Sequence, residues 1–298
     1  MRKTVFICLT VIISSFSFAQ NKELINDWRA ERRDSIRAVI RERMYDFGPN
    51  YNADSVRKEI ESVNYFTLFK DNYFIGGTVL GHKMKASNSN IKFQISISQR
   101  LTKSILPFDT YLFIHFSQKT IWNVLEKSLP MYDINFNPGI GLGHLIIHKN
   151  RYIGRAILML EHESNGKDDL ADRSWNKVSF GINVMVNNNF DAQLKLWVPI
   201  IDSENNRDIV KYKGIGHFGL NYYSNSKRFH AGLLTSIHTK SFGFNTQWEL
   251  SLKLDKRDNQ YLFIQYFNGY GENLLDYNRH NSVLRLGFAI KPRDFTIY

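Results

Sequence analysis

The chain of 298 residues is short of the residues that staple or interrupt a fold. It has one cysteine, Cys8, with 6 prolines and 18 glycines. That composition excludes collagen-like and low-complexity disordered classes. After residue 20 no apolar run approaches the ~20 residues a transmembrane helix needs, which excludes a helical membrane protein. The formal charge of +11 is dispersed rather than gathered in a basic block, so nucleic acid is not an expected partner. What remains is a soluble globular protein or a closed barrel whose apolar and polar faces cancel in the average hydropathy.

Arg2 and Lys3 precede the apolar stretch from Thr4 to Ile13, and Ser17-Phe18-Ala19 follows. This is the pattern of a secretory signal peptide (1–19) cut after Ala19. Cys8 lies inside it, so the expected mature chain has no thiol. Disulfides, cysteine nucleophiles and thiolate metal sites are then excluded. Residues 20–63 carry nine basic and nine acidic residues. Ile25, Trp28, Ile36, Val39, Ile40 and Met44 recur at helical spacing, and Val56, Ile60 and Val63 repeat the pattern with Asp54 and Ser55 as expected caps. The expectation is a charged, helical periplasmic segment of two amphipathic helices joined at Gly48-Pro49-Asn50.

From about Tyr65 the period changes to two. Ile91, Phe93, Ile95 and Ile97 alternate with Lys92, Gln94, Ser96 and Ser98, and Leu284, Leu286, Phe288 and Ile290 alternate with Arg285, Gly287 and Ala289. Each such strand has one apolar face and one polar or small face. Twelve segments of this kind are predicted, near 72–80, 91–102, 110–118, 134–147, 153–164, 176–186, 190–199, 215–223, 228–235, 243–254, 261–267 and 282–291. The first gap and every second one after it are long, and the others are short. The chain also ends on an aromatic residue in Phe295-Thr296-Ile297-Tyr298. Even strand number with long loops at one end predicts an all-β, twelve-stranded antiparallel transmembrane barrel over 64–298. A soluble secreted β-protein would not sort its loops by length in this way.

One segment carries chemistry. His162 and Ser164 lie two apart on a predicted strand, so both leave the same face, about 6–7 Å apart. That face is shared with Leu158 and Leu160. After the turn, Asn176 has the parity of Val178 and Phe180, and an antiparallel hairpin sets it beside His162. Polar groups facing hydrocarbon are costly. Spacing alone leaves two readings: strand-end residues in the headgroup zone, or a Ser–His–Asn triad in which Ser164 attacks an acyl carbonyl, His162 shuttles the proton and Asn176 fixes the imidazole. Three other features have bland readings. Gly139-Ile140-Gly141-Leu142-Gly143 mimics a nucleotide fingerprint, but in an alternating strand with no phosphate-binding helix after it. Asp202, Glu204, Asn205, Asn206 and Asp208 read as a solvated polar loop, and His144, His148, His217 and His230 lack metal-ligand spacing.

His162-Glu163-Ser164-Asn165-Gly166 followed by Asp172-Arg173-Ser174-Trp175-Asn176, and Gly269-Tyr270-Gly271-Glu272-Asn273-Leu274-Leu275-Asp276-Tyr277-Asn278, resemble the signatures of the outer membrane phospholipase A family. Phe66-Thr67-Leu68 with Asn72-Tyr73, and Gln118-Lys119-Thr120 leading to Trp122, are similar to two further family stretches. The resemblance runs from about residue 65 onward. It implies a calcium-dependent acyl hydrolase of phospholipids in the outer membrane, active as a homodimer. It further implies calcium held by the Lys167 carbonyl, Asp172 and, in the monomeric form, Asp169, with a carbonyl near Ser128 from the second subunit. Gln118 is implied at the interface. The rival expectation, from another class, is a non-catalytic barrel such as a small porin.

Overall fold

A computed structural model describes residues 52–63, 65–200, 204–255 and 259–292. The expected signal peptide (1–19), the helix expected before Gly48, Asp202 and the terminal aromatic lie outside the described residues. None of the described helices is long and apolar enough to cross a membrane. The chain divides into two compact units, one of them formed by residues 64–148 and 152–298.

In the other unit, helix α1 spans Ala53–Val63. Its cap is Asn52, not Asp54 or Ser55: the Asn52 Oδ1 accepts the Ser55 N–H at 2.8 Å, satisfying one of the donors that the first helical turn leaves open. Asp54 instead pairs with Arg57 one turn on, at 3.2 Å.

The larger unit is built from thirteen strands: β1 (Phe66–Leu68), β2 (Asn72–Val79), β3 (Ser89–Arg100), β4 (Thr110–Trp122), β5 (Met131–His148), β6 (Arg151–Ser164), β7 (Ser174–Met185), β8 (Phe190–Ile200), β9 (Gly216–Tyr223), β10 (Phe229–His238), β11 (Gly243–Lys253), β12 (Gln260–Gly269) and β13 (Asn281–Ile290). Strands β2 to β13 pair antiparallel in sequence order, and β13 pairs back onto β2 from Val283↔Val79 to Ile290↔Asn72. The result is a closed twelve-stranded barrel, which leaves no sheet edge unpaired in hydrocarbon. The extra strand β1 pairs with β3 at Phe66↔Gln99, beyond the reach of β2. Between them the ladder is patched by side chains: Asn72 Oδ1 accepts Ser96 N–H at 2.7 Å and Ser96 Oγ accepts Lys70 N–H at 3.1 Å.

The alternation sorts as the sequence predicts. Ile95, Leu160, Phe180, Val198, Leu286 and Phe288 are exposed on the outer face, while Lys92, Glu161, Lys195, Glu249 and Arg285 are buried inside. The loops sort less cleanly. Strand β10 runs on to His238, so the gap 239–242 is short, and the gap 101–109 is longer than predicted. The glycine run of β5 faces inward: a Cβ on Gly139 would lie 2.2 Å from His115 Nε2, and one on Gly143 2.3 Å from the Tyr111 ring. These glycines make room for side chains from β4, which disposes of the nucleotide reading. His144, His148, His217 and His230 all lie on strands.

Several charged side chains inside the barrel are paired. Glu161 meets Lys195 at 3.0 Å, Glu163 meets Lys177 and Lys213 at 3.0 Å each, and Lys291 bonds Asp71. Buried charge persists only when compensated in this way.

Candidate active site

Strands β6 and β7 pair with His162 opposite Asn176 and Ser164 opposite Ser174. Glu161 and Glu163 point inward, so His162 and Ser164 point out, in line with Leu160 and Leu158, which are 59% and 50% exposed. His162 Nδ1 and Asn176 Oδ1 are 2.8 Å apart. An amide oxygen can only accept, so Nδ1 is the donor in this bond, and in the neutral tautomer that it selects the lone pair sits on Nε2, as a general base needs. The ring's backbone is held from the other side, where Asn137 Nδ2 of β5 donates to the His162 carbonyl at 2.9 Å. Ser164 shares the face with His162, two residues on; among the described residues no hydrogen bond joins the two side chains.

Asn165 and Gly166 fold the loop that leaves Ser164. Asn165 is buried, donates from Nδ2 to Ala171 O at 2.9 Å, and accepts Arg173 N–H on Oδ1 at 3.0 Å. Gly166 adopts φ +61° with the Phe136 ring close by, a backbone position that favours glycine. The loop gathers the three metal-ligand candidates of one chain. Lys167 Nζ donates to Tyr132 O at 2.8 Å. The Asp169 carbonyl accepts Asp172 N–H at 3.1 Å and Asn205 Nδ2 at 2.8 Å. Ser128 sits apart in the 123–130 loop with φ +70°. Among the described residues no three acidic, histidine or cysteine side chains are grouped to hold a metal within one chain.

Gln118 has the parity of the exposed Ile114 and Phe116 and lies opposite Ile95 on β3 and Phe136 on β5. Its Nε2 donates to Thr120 Oγ1 at 3.3 Å, so the amide is partly satisfied within its own strand.

Two anchoring roles are absent from the sequence reading. The polar loop after β8 is not merely solvated. Asn206 is fully buried and bonds the backbone of Ser174, while Asp208 accepts the Tyr277 hydroxyl at 2.5 Å. Helix α2 (Ile209–Lys213) follows, and Ile209 and Tyr212 pack with Trp175, Leu274 and Tyr277 in one apolar cluster. The second anchor is the segment 269–278. Asp133 Oδ2 accepts the N–H groups of Leu274 and Leu275 at 3.0 Å each. Glu272 descends between Arg285 (2.5 Å) and Lys92 (3.2 Å). Burial alone would push its carboxyl up, but these two cations hold it down at about 2. On α2, burial lowers the Lys213 ammonium to about 8, with Glu163 opposing. A spaced pattern of Glu, Asp and Tyr marks these loops as unusual, yet their partners lie on strands distant in sequence.

A closed barrel with an apolar outside defines an outer-membrane β-barrel, and here a histidine–amide pair opens on that outside. The family model for phospholipase A1 matches residues 64–290, and the chain belongs to that family. It is 29% identical over 218 residues to phospholipase A1 of Escherichia coli strain K12, covering 70% of this chain and 71% of that one. It is 25% identical over 298 residues to phospholipase A1 of Proteus vulgaris, covering 94% of each. Among solved structures, the barrel superimposes on the outer membrane phospholipase dimer with bound calcium of Salmonella typhi with a TM-score of 0.68 at 22% identity. That match covers 87% of this chain and 98% of the other.

Proposed function

We propose that this chain hydrolyses acyl ester bonds of phospholipids lying in the outer membrane, with Ser164 as nucleophile, His162 as general base and Asn176 as the group that orients the imidazole. The observation that carries the reading is the 2.8 Å His162–Asn176 bond on a face shared with Ser164 and with exposed leucines. A hydrolase whose substrate is dissolved in the bilayer needs its nucleophile on the outside of the barrel, and that need offsets the cost of polar groups there. Ser164 Oγ bonds to the acyl carbon as its proton passes to His162 Nε2. The C–O bond to the lysophospholipid then breaks, and the leaving oxygen takes that proton. Water, deprotonated by the same nitrogen, attacks the acyl-serine; the acyl–Oγ bond breaks and Nε2 returns the proton to Ser164 Oγ, releasing fatty acid and free Ser164.

The 165–173 loop offers oxygen donors only, which suits a hard cation such as calcium. The Lys167 carbonyl and Asp172 would hold it, joined by Asp169 in the monomeric form or by a carbonyl near Ser128 of a second copy in the dimer. When bound, calcium would supply positive charge for the oxyanion of the tetrahedral intermediate. The likeness to a calcium-bound outer membrane phospholipase dimer supports a homodimer as the active form, with Gln118 at the interface. The non-catalytic porin reading is disfavoured by the interior, where Glu161, Lys195, Lys92 and Arg285 are all under 4% exposed; a conducting channel would hydrate them.

Purified protein in phospholipid mixed micelles, with calcium or a chelator, tests the proposal. The expected result is calcium-dependent fatty-acid release that is abolished in Ser164→Ala. Release that is equal in the variant overturns it.

A further inference from the structure

Asn206 makes two bonds to a single residue: its Oδ1 accepts the Ser174 N–H at 3.1 Å and its Nδ2 donates to the Ser174 carbonyl at 2.9 Å. This is the pair of bonds that a neighbouring strand exchanges in an antiparallel ladder. Among the described residues, strand β8 pairs with β7 as far as Ile200, opposite Asn176. One ladder step beyond, the buried amide of Asn206 takes the place that strand would have filled.

The direction of these bonds fixes the geometry of the site. Ser174 turns its N–H and C=O toward Asn206, away from β6. His162 turns its carbonyl toward β5, where Asn137 meets it. Ser164–Ser174 and His162–Asn176 are therefore the close, non-hydrogen-bonded kind of pair, with Cα atoms ~4.5 Å apart and side chains at their nearest. Asn205, the preceding residue, donates to the Asp169 carbonyl at 2.8 Å. Two adjacent asparagines thus brace the start of β7 and the oxygen-rich loop that precedes it.

We propose that Asn206 is a positioning residue for the hydrolase reaction. It keeps β7 extended through Ser174, which sets Asn176 against His162 and holds the nucleophile's strand and the 165–173 loop in register. The proposal rests on the triad reading above. Asn206 acts through Ser174 and touches no reacting atom. A role confined to folding would lower the yield of folded barrel and leave the folded fraction with wild-type kinetics. A positioning role lowers kcat in the folded fraction and raises the calcium concentration needed for half-maximal activity.

The test uses full-length Asn206→Ala and Asn206→Asp in mixed micelles, with heat-modifiable gel migration to count folded barrel. The aspartate keeps an acceptor for the Ser174 N–H and loses the donor to its carbonyl. Asn206→Ala is expected to show kcat about 10- to 100-fold lower per folded barrel, with KM little changed. Its half-saturating calcium rises, and covalent labelling of Ser164 by a sulfonyl fluoride slows in step. Asn206→Asp falls between it and wild type. Wild-type kcat and labelling rate in folded Asn206→Ala overturn the proposal. If that variant does not fold, wild-type kinetics in folded Asn206→Asp overturn it equally. An inert wild type, or a fully active Ser164→Ala, removes the triad reading and this proposal with it. An active wild type with inert Ser164→Ala and an unaffected Asn206→Ala removes this proposal alone.

Discussion

Replacing Asn176 by alanine isolates the smallest working part of the proposed site. The 2.8 Å bond from His162 Nδ1 ends on an uncharged amide, and a typical intramolecular hydrogen bond is worth about 1 kcal/mol net, to within about a factor of two. Losing it lets the ring rotate and exchange tautomers, so that part of the population presents a protonated Nε2 to Ser164. A loss of 1–1.5 kcal/mol in transition-state stabilisation corresponds to about a 5- to 10-fold fall in kcat. KM should hold, because the lipid contacts of the exposed strand faces are untouched. Asn176→Asp tests the same bond from the other side. A carboxylate at that position makes a charge-assisted bond to the imidazolium that forms in the transition state, roughly twice as strong, and kcat should be at least that of wild type. The assay is steady-state fatty-acid release over a range of phospholipid mole fractions at saturating calcium. Asn176→Ala within twofold of wild type would refute the reasoning, because the residue would then be a bystander of the strand. A selective rise in KM would refute it too, by making Asn176 a lipid-binding group.

Three further outcomes follow from particular contacts. Glu272→Gln leaves Lys92 and Arg285 buried without their shared carboxylate, and should destabilise the barrel by about 3–5 kcal/mol, read as a lower urea midpoint in micelles. Because Glu272 is held at about 2 against an ordinary 4.5, its contribution is fully present above pH 4.5 and is lost as pH falls toward 2; the variant's deficit should shrink over that window. Asp172→Ala removes a carboxylate from the proposed cation site, so half-maximal activity should need about 10-fold or more calcium with kcat at saturation largely kept, measured by calcium titration of the micelle assay. Gly139→Ala places a methyl 2.2 Å from the His115 ring, which is stacked on Phe69 at 4.2 Å and cannot retreat freely. A cost of about 1–3 kcal/mol in the same urea titration is expected.

The barrel was legible in the sequence because inside and outside impose opposite chemistry at a period of two, and every strand repeats the message. The positions of His162, Ser164 and Asn176 were legible for the same reason: parity alone assigns a face, and a hairpin of fixed register brings His162 and Asn176 together. What was not legible is contact between elements remote in sequence. Nothing in Asn206 itself says that its partner is Ser174, and Glu272 does not announce Lys92. Strand alternation gave Glu163 an inward direction but could not choose Lys177 and Lys213 from the other lysines. Local competition was equally hidden. Asn52 outbids Asp54 as the helix cap because it sits one residue before the first helical turn, and β10 runs past its last clear alternation, shortening the 239–242 loop. The four Lys, Asp and Ser positions implied for calcium were legible only through resemblance to a family, since Lys167 and Ser128 would contribute backbone carbonyls that any residue carries.

The proposed nucleophile is an outward-facing serine on a membrane barrel. Incubating the folded protein with a sulfonyl fluoride in calcium-containing micelles, then mapping the adduct by peptide mass spectrometry, tests it most directly. A single stoichiometric adduct on Ser164 is expected to appear as hydrolysis is lost, with no adduct in His162→Ala. Loss of hydrolysis with Ser164 unmodified, or equal labelling of Ser164 in His162→Ala, would contradict it.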